Sequence, residues 1–436
     1  MPSLSRPVDP LIDHRPRLRK ATVTLPRADV PVSTLRAETK GRIPPFAPIV
    51  VLVLILFYRK PDAWVNPQFW AEDGTVFFAQ QHEFGLSALF VPYAGYLHLI
   101  PRLIAQVSSL FPVSMAPMLY NASAILMTSL VGLKLLSPRV NLPNKPWFIL
   151  SLGLVPHSGE IFLNATNIQW FGALALLLLV IQEPPRSRWQ TAGDFFALIL
   201  VGLTGPFSLL FAPVVLLGVQ QWRGTRVYRF CFCSLVLILG LVQGCLVYEA
   251  RTAEGASLMT WSILVRLLGH RFLGTLFLGE TLSATLPLWV LFGFIALSMI
   301  ATGWFLWKGK GVWGGKGRIY VLVFLLAGLF ILGTTLFKFR SSPEVLLLFA
   351  NGDRYYYLPR LLVVWSILIG MSAGGLGRRV AMGLVLLSVL AAASSQFQSR
   401  AFENYNWKEY AKQIERGKSL LIPINPQGWY VAWTAR

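Results

Sequence analysis

The sequence predicts an all-α polytopic membrane protein, because its composition is strongly apolar and long apolar segments recur along the chain. The chain has 436 residues, of which 55% are hydrophobic and only 13% are charged, and its mean hydropathy is +0.57. Soluble domains carry about 25% charged residues, and a membrane-spanning helix needs roughly 20 apolar residues. Eleven segments are candidate spans, some of them short: 43–58, 113–136, 146–158, 167–182, 193–204, 206–220, 228–248, 283–306, 319–337, 358–374 and 379–395.

The positive charges predict the orientation of these spans. The net charge is +20, and Lys and Arg concentrate in cytoplasmic loops of membrane proteins. With the N-terminus inside, the predicted inside segments hold most of the basic residues. The charge therefore indicates a lipid bilayer as partner and not a nucleic acid. We expect a disordered basic cytoplasmic tail at 1–42, a transmembrane body at 43–395 and an extracytoplasmic tail at 396–436.

The first outer loop, 59–112, is too patterned for a plain connector. Its stretch "FWAEDGTVFF" at 69–78 places Glu72 and Asp73 side by side among aromatic residues. The residues that follow predict an interfacial helix interrupted near Gly85 and a second helix starting near Pro101. Adjacent helical residues point about 100° apart. One carboxylate can therefore act on a substrate while the other, Asp73 by position, caps the helix. A merely solvated and capped helix start is the alternative.

Basic side chains on the outer side are candidates for binding phosphate, which guanidinium groups contact in a planar, two-pronged way. Arg102 falls in the first turn of the second interfacial helix, and His98 lies just before it. Arg354 and Arg360 flank "YYYLP", where a late span begins. Histidine can bind phosphate or relay a proton, or it can simply be hydrogen-bonded. The alternative for the arginines is that they extend from the interface to water.

A dense polar cluster marks the outer connection "VPHSGEIFLNATNIQW" at 155–170. Glu160 and Asn167 can hydrogen-bond sugar hydroxyls there, and Trp170 offers an aromatic face to a pyranose ring. The competing account is ordinary packing of polar groups at a helix turn.

The tail at 396–436 predicts a short amphipathic helix followed by an extended stretch. Trp407, Tyr410, Ala411 and Ile414 recur at helical spacing. About forty residues are too few for an independent domain without disulfides or metals. The tail is therefore either a wall of the site or an anchor on the outer surface.

Three quoted stretches resemble a known family. They are similar to sequences in the GT-C superfamily: "AEDG" with "PYAGYLHLIPRL" in the first outer loop, "NGDRYYYLPR" at 351–360 and "LIPINPQGW" at 421–429. Those proteins are polytopic glycosyltransferases that use polyprenyl-phosphate sugars. The resemblance is to a poorly characterised bacterial branch. Many members separate the two loop carboxylates by one residue, whereas here they are adjacent.

The resemblance implies a hexosyl- or pentosyltransferase of the bacterial inner membrane with its active site on the extracytoplasmic face. The donor would be a polyprenyl-phosphate-linked sugar, the acceptor a lipid, glycan or protein, and transfer would invert the anomeric carbon. Asp73 is the first candidate for the catalytic base and Glu72 the second. No metal ligands are assigned, and a divalent metal is left open as a cofactor. The alternatives are a lipid-linked glycan flippase or transporter and a non-catalytic membrane subunit. The absence of charged residues near the centres of the predicted spans weakens the transporter.

Overall fold

The computed structural model describes residues 44–222, 224–250, 255–308, 314–349, 352–372 and 375–435. The predicted disordered tail at 1–42 lies outside the described residues. The described chain is mostly helical. Its first ten α-helices are α1 Ala47–Arg59, α2 Asp62–Val65, α3 Ala79–Phe84, α4 Leu99–Ser108, α5 Ala116–Leu136, α6 Lys145–Leu154, α7 Ile168–Ile181, α8 Arg188–Gly202, α9 Phe207–Leu210 and α10 Ala212–Gly218.

The second half continues with helices and ends in a hairpin. The remaining elements are α11 Arg226–Glu249, α12 Trp261–Val265, α13 Thr275–Phe277, α14 Glu280–Ala284, α15 Leu288–Lys308, α16 Gly314–Lys338, α17 Arg354–Ser372, α18 Leu376–Ser394, α19 Trp407–Glu415, β1 Leu420–Ile424 and β2 Trp429–Trp433.

Six helices in the described residues are long and apolar enough to cross a membrane. They are Val113–Leu136, Arg226–Glu249, Leu288–Trp307, Lys316–Lys338, Arg354–Ser372 and Leu376–Ser394. The other five predicted spans coincide with helices that are shorter, such as α1, α6, α7, α8 and the α9–α10 pair. A mostly helical chain with several helices able to cross a membrane is therefore confirmed, while the eleven full spans remain a prediction.

Helix α7 explains how a short helix can lie at the centre of such a body. It has 14 residues and at 1.5 Å per residue is about 21 Å long, less than the roughly 30 Å hydrocarbon core. All of its residues except Ala175 are buried. Its surface is covered by α5, α8, α10 and α16. Because other helices surround it, its length is set by packing against protein.

The first outer loop folds into several short helical pieces. A π-helix, Asp73–Phe78, runs directly into α3, which ends at Gly85 with a φ of +59°. The predicted interruption near Gly85 is thus present, since glycine tolerates positive φ without steric cost. A 3₁₀ turn and α4 complete the loop.

In the part of the chain that the structure describes, the tail adds two β-strands, which an all-α prediction omits. Helix α19 buries Trp407, Ala411 and Ile414 as its spacing predicts. The stretch after it pairs β1 antiparallel to β2 in a two-stranded sheet, with Ile422 opposite Val431. The sequence indicated an extended chain there, and the pairing partner only becomes visible in three dimensions.

A buried ion cluster fastens three helices away from the outer loop. The carboxylate of Asp194 in α8 accepts two hydrogen bonds from Arg139, at 3.0 and 2.6 Å, and one from Tyr228 of α11 at 2.8 Å. Lys134 of α5 lies 3.6 Å away. The Asp194 side chain is only 4% exposed, so the ion pair between Arg139 and Asp194 is poorly solvated.

We expect Asp194→Ala to lower the free energy of unfolding by about 3 kcal/mol, because it leaves the guanidinium of Arg139, whose side chain is only 11% exposed, without its carboxylate. Denaturant unfolding in detergent micelles measures this. Glu183→Ala is the matched control: Glu183 pairs with Arg186 and Lys316, and all three side chains are at least 32% exposed. That control should cost less than about 1 kcal/mol. Equal losses for the two variants would contradict the assignment.

Candidate functional site

Three segments that are far apart in sequence meet around one polar site. The first is the turn before the π-helix, which contains Glu72. The second is the connection between α6 and α7, which contains Glu160. The third is the start of α17 at Arg354. Contacts among these segments bring Glu72, Glu160 and Arg354 close together, although they lie far apart in the sequence.

Glu72 is a buried carboxylate with a free oxygen. The residue is 7% exposed, and its Oε1 accepts a long hydrogen bond from the Tyr93 hydroxyl at 3.5 Å. Its Oε2 is buried and has no hydrogen-bond partner among the described residues. A buried carboxylate oxygen without a partner is costly, and such groups in native proteins call for a functional explanation.

Asp73, by contrast, has both oxygens engaged. Oδ1 accepts from the amide and the hydroxyl of Thr166 at 2.7 and 2.6 Å, and Oδ2 accepts from the amide of Ala165 at 3.0 Å. Burial raises the pKa of Asp73 to about 7, against the opposing effect of these three hydrogen bonds. Asp73 caps neither end of its own helix. It ties the first outer loop to the connection before α7.

Arg354 is held at the mouth of the site by Glu160. Its Nη1 lies 3.1 Å from Glu160 Oε1, and its backbone amide donates to Oε2 at 3.1 Å. Burial raises the pKa of Glu160, and the positive charge of Arg354 opposes that shift. The Arg354 side chain is 26% exposed. The Nη1 edge of the guanidinium is thus fixed by Glu160, while part of the side chain stays accessible to solvent.

The phenol of Tyr93 lies close enough to Glu72 and Arg354 for both charges to act on it. Burial raises the pKa of Tyr93 to about 12, the negative charge of Glu72 adds to this shift, and the positive charge of Arg354 opposes it. The pKa of Glu160 is likewise raised by Glu72. A free carboxylate and an accessible guanidinium therefore act on the same small region.

Aromatic rings line this region. Trp170 is buried and meets Phe207 and Tyr355 edge to face, with ring centroids 5.3 and 5.6 Å apart. Tyr355 in turn lies 5.4 Å beneath the guanidinium of Arg354. The structure thus places Trp170 beside the site, as the sequence predicts.

His98 is neutral in this environment. Its ring lies 4.7 Å from that of Tyr96 and 5.8 Å from that of Tyr93. Burial, and after it the charge of Arg102, lower the pKa of His98 to about 3. An uncharged imidazole can contribute a hydrogen bond or an aromatic surface, but no positive charge for phosphate.

Arg102 is fully buried under the loop. Its Nη2 donates to Gln80 Oε1 at 2.6 Å and to the carbonyl of Val91 at 3.0 Å, and the guanidinium lies 5.2 Å from the ring of Phe77. Nε and Nη1 have no hydrogen-bond partner among the described residues. The contacts that exist hold the 80–91 segment against α4.

Arg360 belongs to a buried ionic cluster that sequence reasoning missed. The carboxylate of Asp353 receives Arg360 Nη2 at 2.9 Å and Arg271 Nη2 at 3.0 Å, with His157 Nε2 at 3.4 Å. All four side chains are completely buried. The signal was present, because Asp353 directly precedes Arg354 in the quoted "NGDRYYYLPR". Arg360 thus fixes the start of α17 and is not open to a ligand.

Asn167 supports the connection from within. Its Nδ2 donates to the backbone carbonyl of Glu160 at 3.0 Å, and its amide donates to Asn164 Oδ1 at 3.0 Å. The residue is fully buried and stands just before α7. Its contacts shape the loop that presents Glu160.

The described part of the chain contains no group of three or more His, Cys, Asp or Glu side chains arranged to hold a metal ion. Comparisons with family models, with curated proteins and with solved structures find no match to this chain.

We expect Asp73→Asn to lower the free energy of unfolding by about 1–3 kcal/mol, because an amide nitrogen would face a backbone N–H and leave a buried donor unpaired. Glu72→Gln should change it by less than about 0.5 kcal/mol, since Oε2 has no partner to lose. Denaturant unfolding in micelles at pH 6 compares the two. A larger cost for Glu72→Gln would reverse the roles given to the two carboxylates.

The raised pKa of Asp73 also predicts a pH dependence. Between its ordinary value of 3.8 and about 7, the folded protein keeps a proton that the unfolded chain has lost. The stability contributed by this group is therefore full below pH 3.8 and lost as the pH rises to about 7. The stability difference between wild type and Asp73→Asn should narrow over that range and level off above it. A difference that widens with pH would be inconsistent with this assignment.

Proposed function

We propose that this protein is a membrane glycosyltransferase that moves a sugar from a polyprenyl-phosphate donor to an acceptor hydroxyl on the extracytoplasmic face. The observation that supports it best is the pairing of a buried carboxylate with a free oxygen, Glu72, and an accessible guanidinium, Arg354. Sugar transfer from a lipid phosphate needs one group to take a proton and another to balance the leaving phosphate.

Glu72 is the proposed general base, in place of Asp73. The acceptor O–H gives its proton to Oε2 while the acceptor oxygen bonds to the anomeric carbon. The bond from that carbon to the phosphate oxygen breaks, and the phosphate leaves with the electron pair. Attack opposite the leaving group inverts the anomeric carbon. A positioned general base contributes about 10²–10⁴-fold to such a step. Asp73 is less suited, since both of its oxygens already accept hydrogen bonds.

Arg354 is the proposed phosphate-binding residue. Charge-assisted hydrogen bonds from guanidinium to phosphate are roughly twice as strong as neutral ones. Glu160 fixes the guanidinium through Nη1, so the side chain loses little freedom when it binds a ligand. Because the residue opens α17, the phosphate would lie where a lipid headgroup meets the protein.

The charge balance around the site favours an anionic substrate. The buried cations of the outer segments are Arg59, Lys60, Arg102, Arg271 and Arg360, and the buried carboxylates are Glu72, Asp73, Glu160 and Asp353. Arg354 adds one more positive charge. Burial raises the pKa of Asp73 to about 7 and lowers that of Lys60 to about 8, so the excess of positive charge is carried by the arginines. A positive, poorly solvated region attracts a phosphate.

Aromatic side chains supply a surface for the sugar. Trp170, Tyr93 and Tyr355 lie around Glu72 and Arg354. Aromatic rings present an apolar face together with a polar edge, which suits a pyranose with one apolar face and hydroxyls at its rim. The acceptor remains a lipid, glycan or protein.

We expect Glu72→Gln to lower the transfer rate by about 10²–10⁴-fold, because the base is lost while the shape is kept. The assay uses purified protein, radiolabelled polyprenyl-phosphate sugars and a membrane lipid and glycan extract as acceptor. Glu83→Gln is the matched control, since Glu83 is exposed in the same loop, and it should keep wild-type activity. Arg354→Lys should raise the donor KM by about tenfold, because the planar contact to phosphate is lost.

Two outcomes would contradict the proposal. Transfer by Glu72→Gln at the wild-type rate would remove the base. Absence of transfer by the wild type from every labelled donor, with movement of the same lipids across liposome membranes, would favour a transporter.

A further inference from the structure

The C-terminal tail forms backbone hydrogen bonds to the turn that precedes Glu72. The amide of Asn425 donates to the carbonyl of Phe69 at 3.2 Å, and the amide of Ala71 donates to the carbonyl of Asn425. These two bonds bracket Trp70. Ala71 has a φ of +33°, which a non-glycine residue adopts only when its surroundings hold it there. The tail thus fixes the residue next to the proposed base.

The side chain of Asn425 joins a second part of the tail to the same place. Its Oδ1 accepts from the amide of Glu403 at 2.9 Å, and its Nδ2 donates to the Glu403 carbonyl at 3.0 Å. One residue earlier, the amide of Phe402 donates to Asp62 Oδ2 at 2.8 Å. Asn425 is only 3% exposed. It therefore connects both ends of the tail with the start of the first outer loop.

The hairpin also packs directly on the π-helix that follows Glu72. A Cβ at Gly74 would lie 2.9 Å from Ile424 Cδ1 and 2.9 Å from Val431 Cγ2, and 3.3 Å from Phe69 Cβ. The first two approaches are closer than real Cβ atoms tolerate. A side chain at position 74 would therefore force Ile424, Val431 or the hairpin that carries them to shift.

Helix α19 completes this interface. The ring of Trp407 meets Phe69 edge to face at 4.7 Å and Phe78 at 5.6 Å, and its Nε1 donates to the carbonyl of Val113 at 3.1 Å. Trp433 of β2 stacks on Phe78 at 5.2 Å. The residues on both sides of Glu72 and Asp73 are therefore enclosed by the tail.

We propose that the C-terminal tail is a positioning element of the site, in which Asn425 and the hairpin contact at Gly74 hold Glu72 in the place where it takes a proton. This inference rests on the proposed function, since it assigns Glu72 the role of base. A tail of about forty residues has too little core to fold alone. It becomes ordered by docking on the first outer loop, and the loop in turn takes its shape from the tail. Misplacing a catalytic group by about 1 Å costs on the order of 10²-fold.

The test adds one methyl group at position 74 by substitution and then makes room for it with two compensating substitutions. Gly74→Ala should lower kcat by about tenfold or more and change the donor KM by less than about threefold, since Arg354 is untouched. Ile424→Val with Val431→Ala removes Ile424 Cδ1 and Val431 Cγ2, the two atoms that the new Cβ would approach to 2.9 Å, and leaves Phe69 Cβ at 3.3 Å. Adding Gly74→Ala to that pair should restore kcat to within about threefold of the pair alone. Gly193→Ala is the control, because a Cβ there meets nothing within 4 Å.

A readout that needs no activity separates this inference from the proposed function. Hydrogen–deuterium exchange should increase in peptides covering 69–78 and 420–433 of Gly74→Ala, stay unchanged in α7, and return to the level of the pair in the triple variant. If wild type transfers no sugar, this exchange pattern still supports the coupling between tail and loop. The inference is overturned if Gly74→Ala keeps full activity and unchanged exchange, or if the folded triple variant regains neither.

Discussion

The site depends on the link between the carboxylate of Asp73 and the backbone of Ala165 and Thr166. This link joins the first outer loop to the connection before α7 across more than ninety residues of sequence. Because that connection also presents Glu160, which fixes Arg354, one buried acceptor sets the relative position of three segments. The group resists replacement, since two backbone N–H donors would lose their partner without it.

The charged residues are of two kinds. In one kind, the side-chain hydrogen bonds are made within the fold; in the other, at least one side-chain atom can still bond to a ligand. Asp73, Asp353 and Arg360 belong to the first kind, as their oxygens or most of their nitrogens are engaged and buried. Glu72 and Arg354 belong to the second, one with a free oxygen and the other partly exposed. Residues that retain bonding capacity in a desolvated place are the natural candidates for binding and proton transfer.

Much of this was predictable from the sequence, and the remainder depends on distant contacts. Composition and apolar segments correctly predict a mostly helical chain with several helices able to cross a membrane. The structure brings the carboxylate pair, Glu160, Arg354 and Trp170 together. Sequence reasoning favoured Asp73 over Glu72 as the base. A local pattern cannot show that Ala165 and Thr166, ninety-two and ninety-three residues away, donate hydrogen bonds to both Asp73 oxygens. Sequence reasoning also missed Asp353. It could not decide whether the tail is a wall of the site or an anchor on the surface, since Gly74, which the hairpin contacts, is far away in the chain.

The most direct test of the central claim is a cryo-electron microscopy structure of the protein with a polyprenyl-phosphate analogue. The account predicts phosphate oxygens within about 3 Å of the Arg354 guanidinium, the distance of a charge-assisted hydrogen bond, with Glu72 Oε2 facing the sugar side of the phosphate. A phosphate bound elsewhere, with Arg354 still paired only to Glu160 and Glu72 turned away from the ligand, would contradict it.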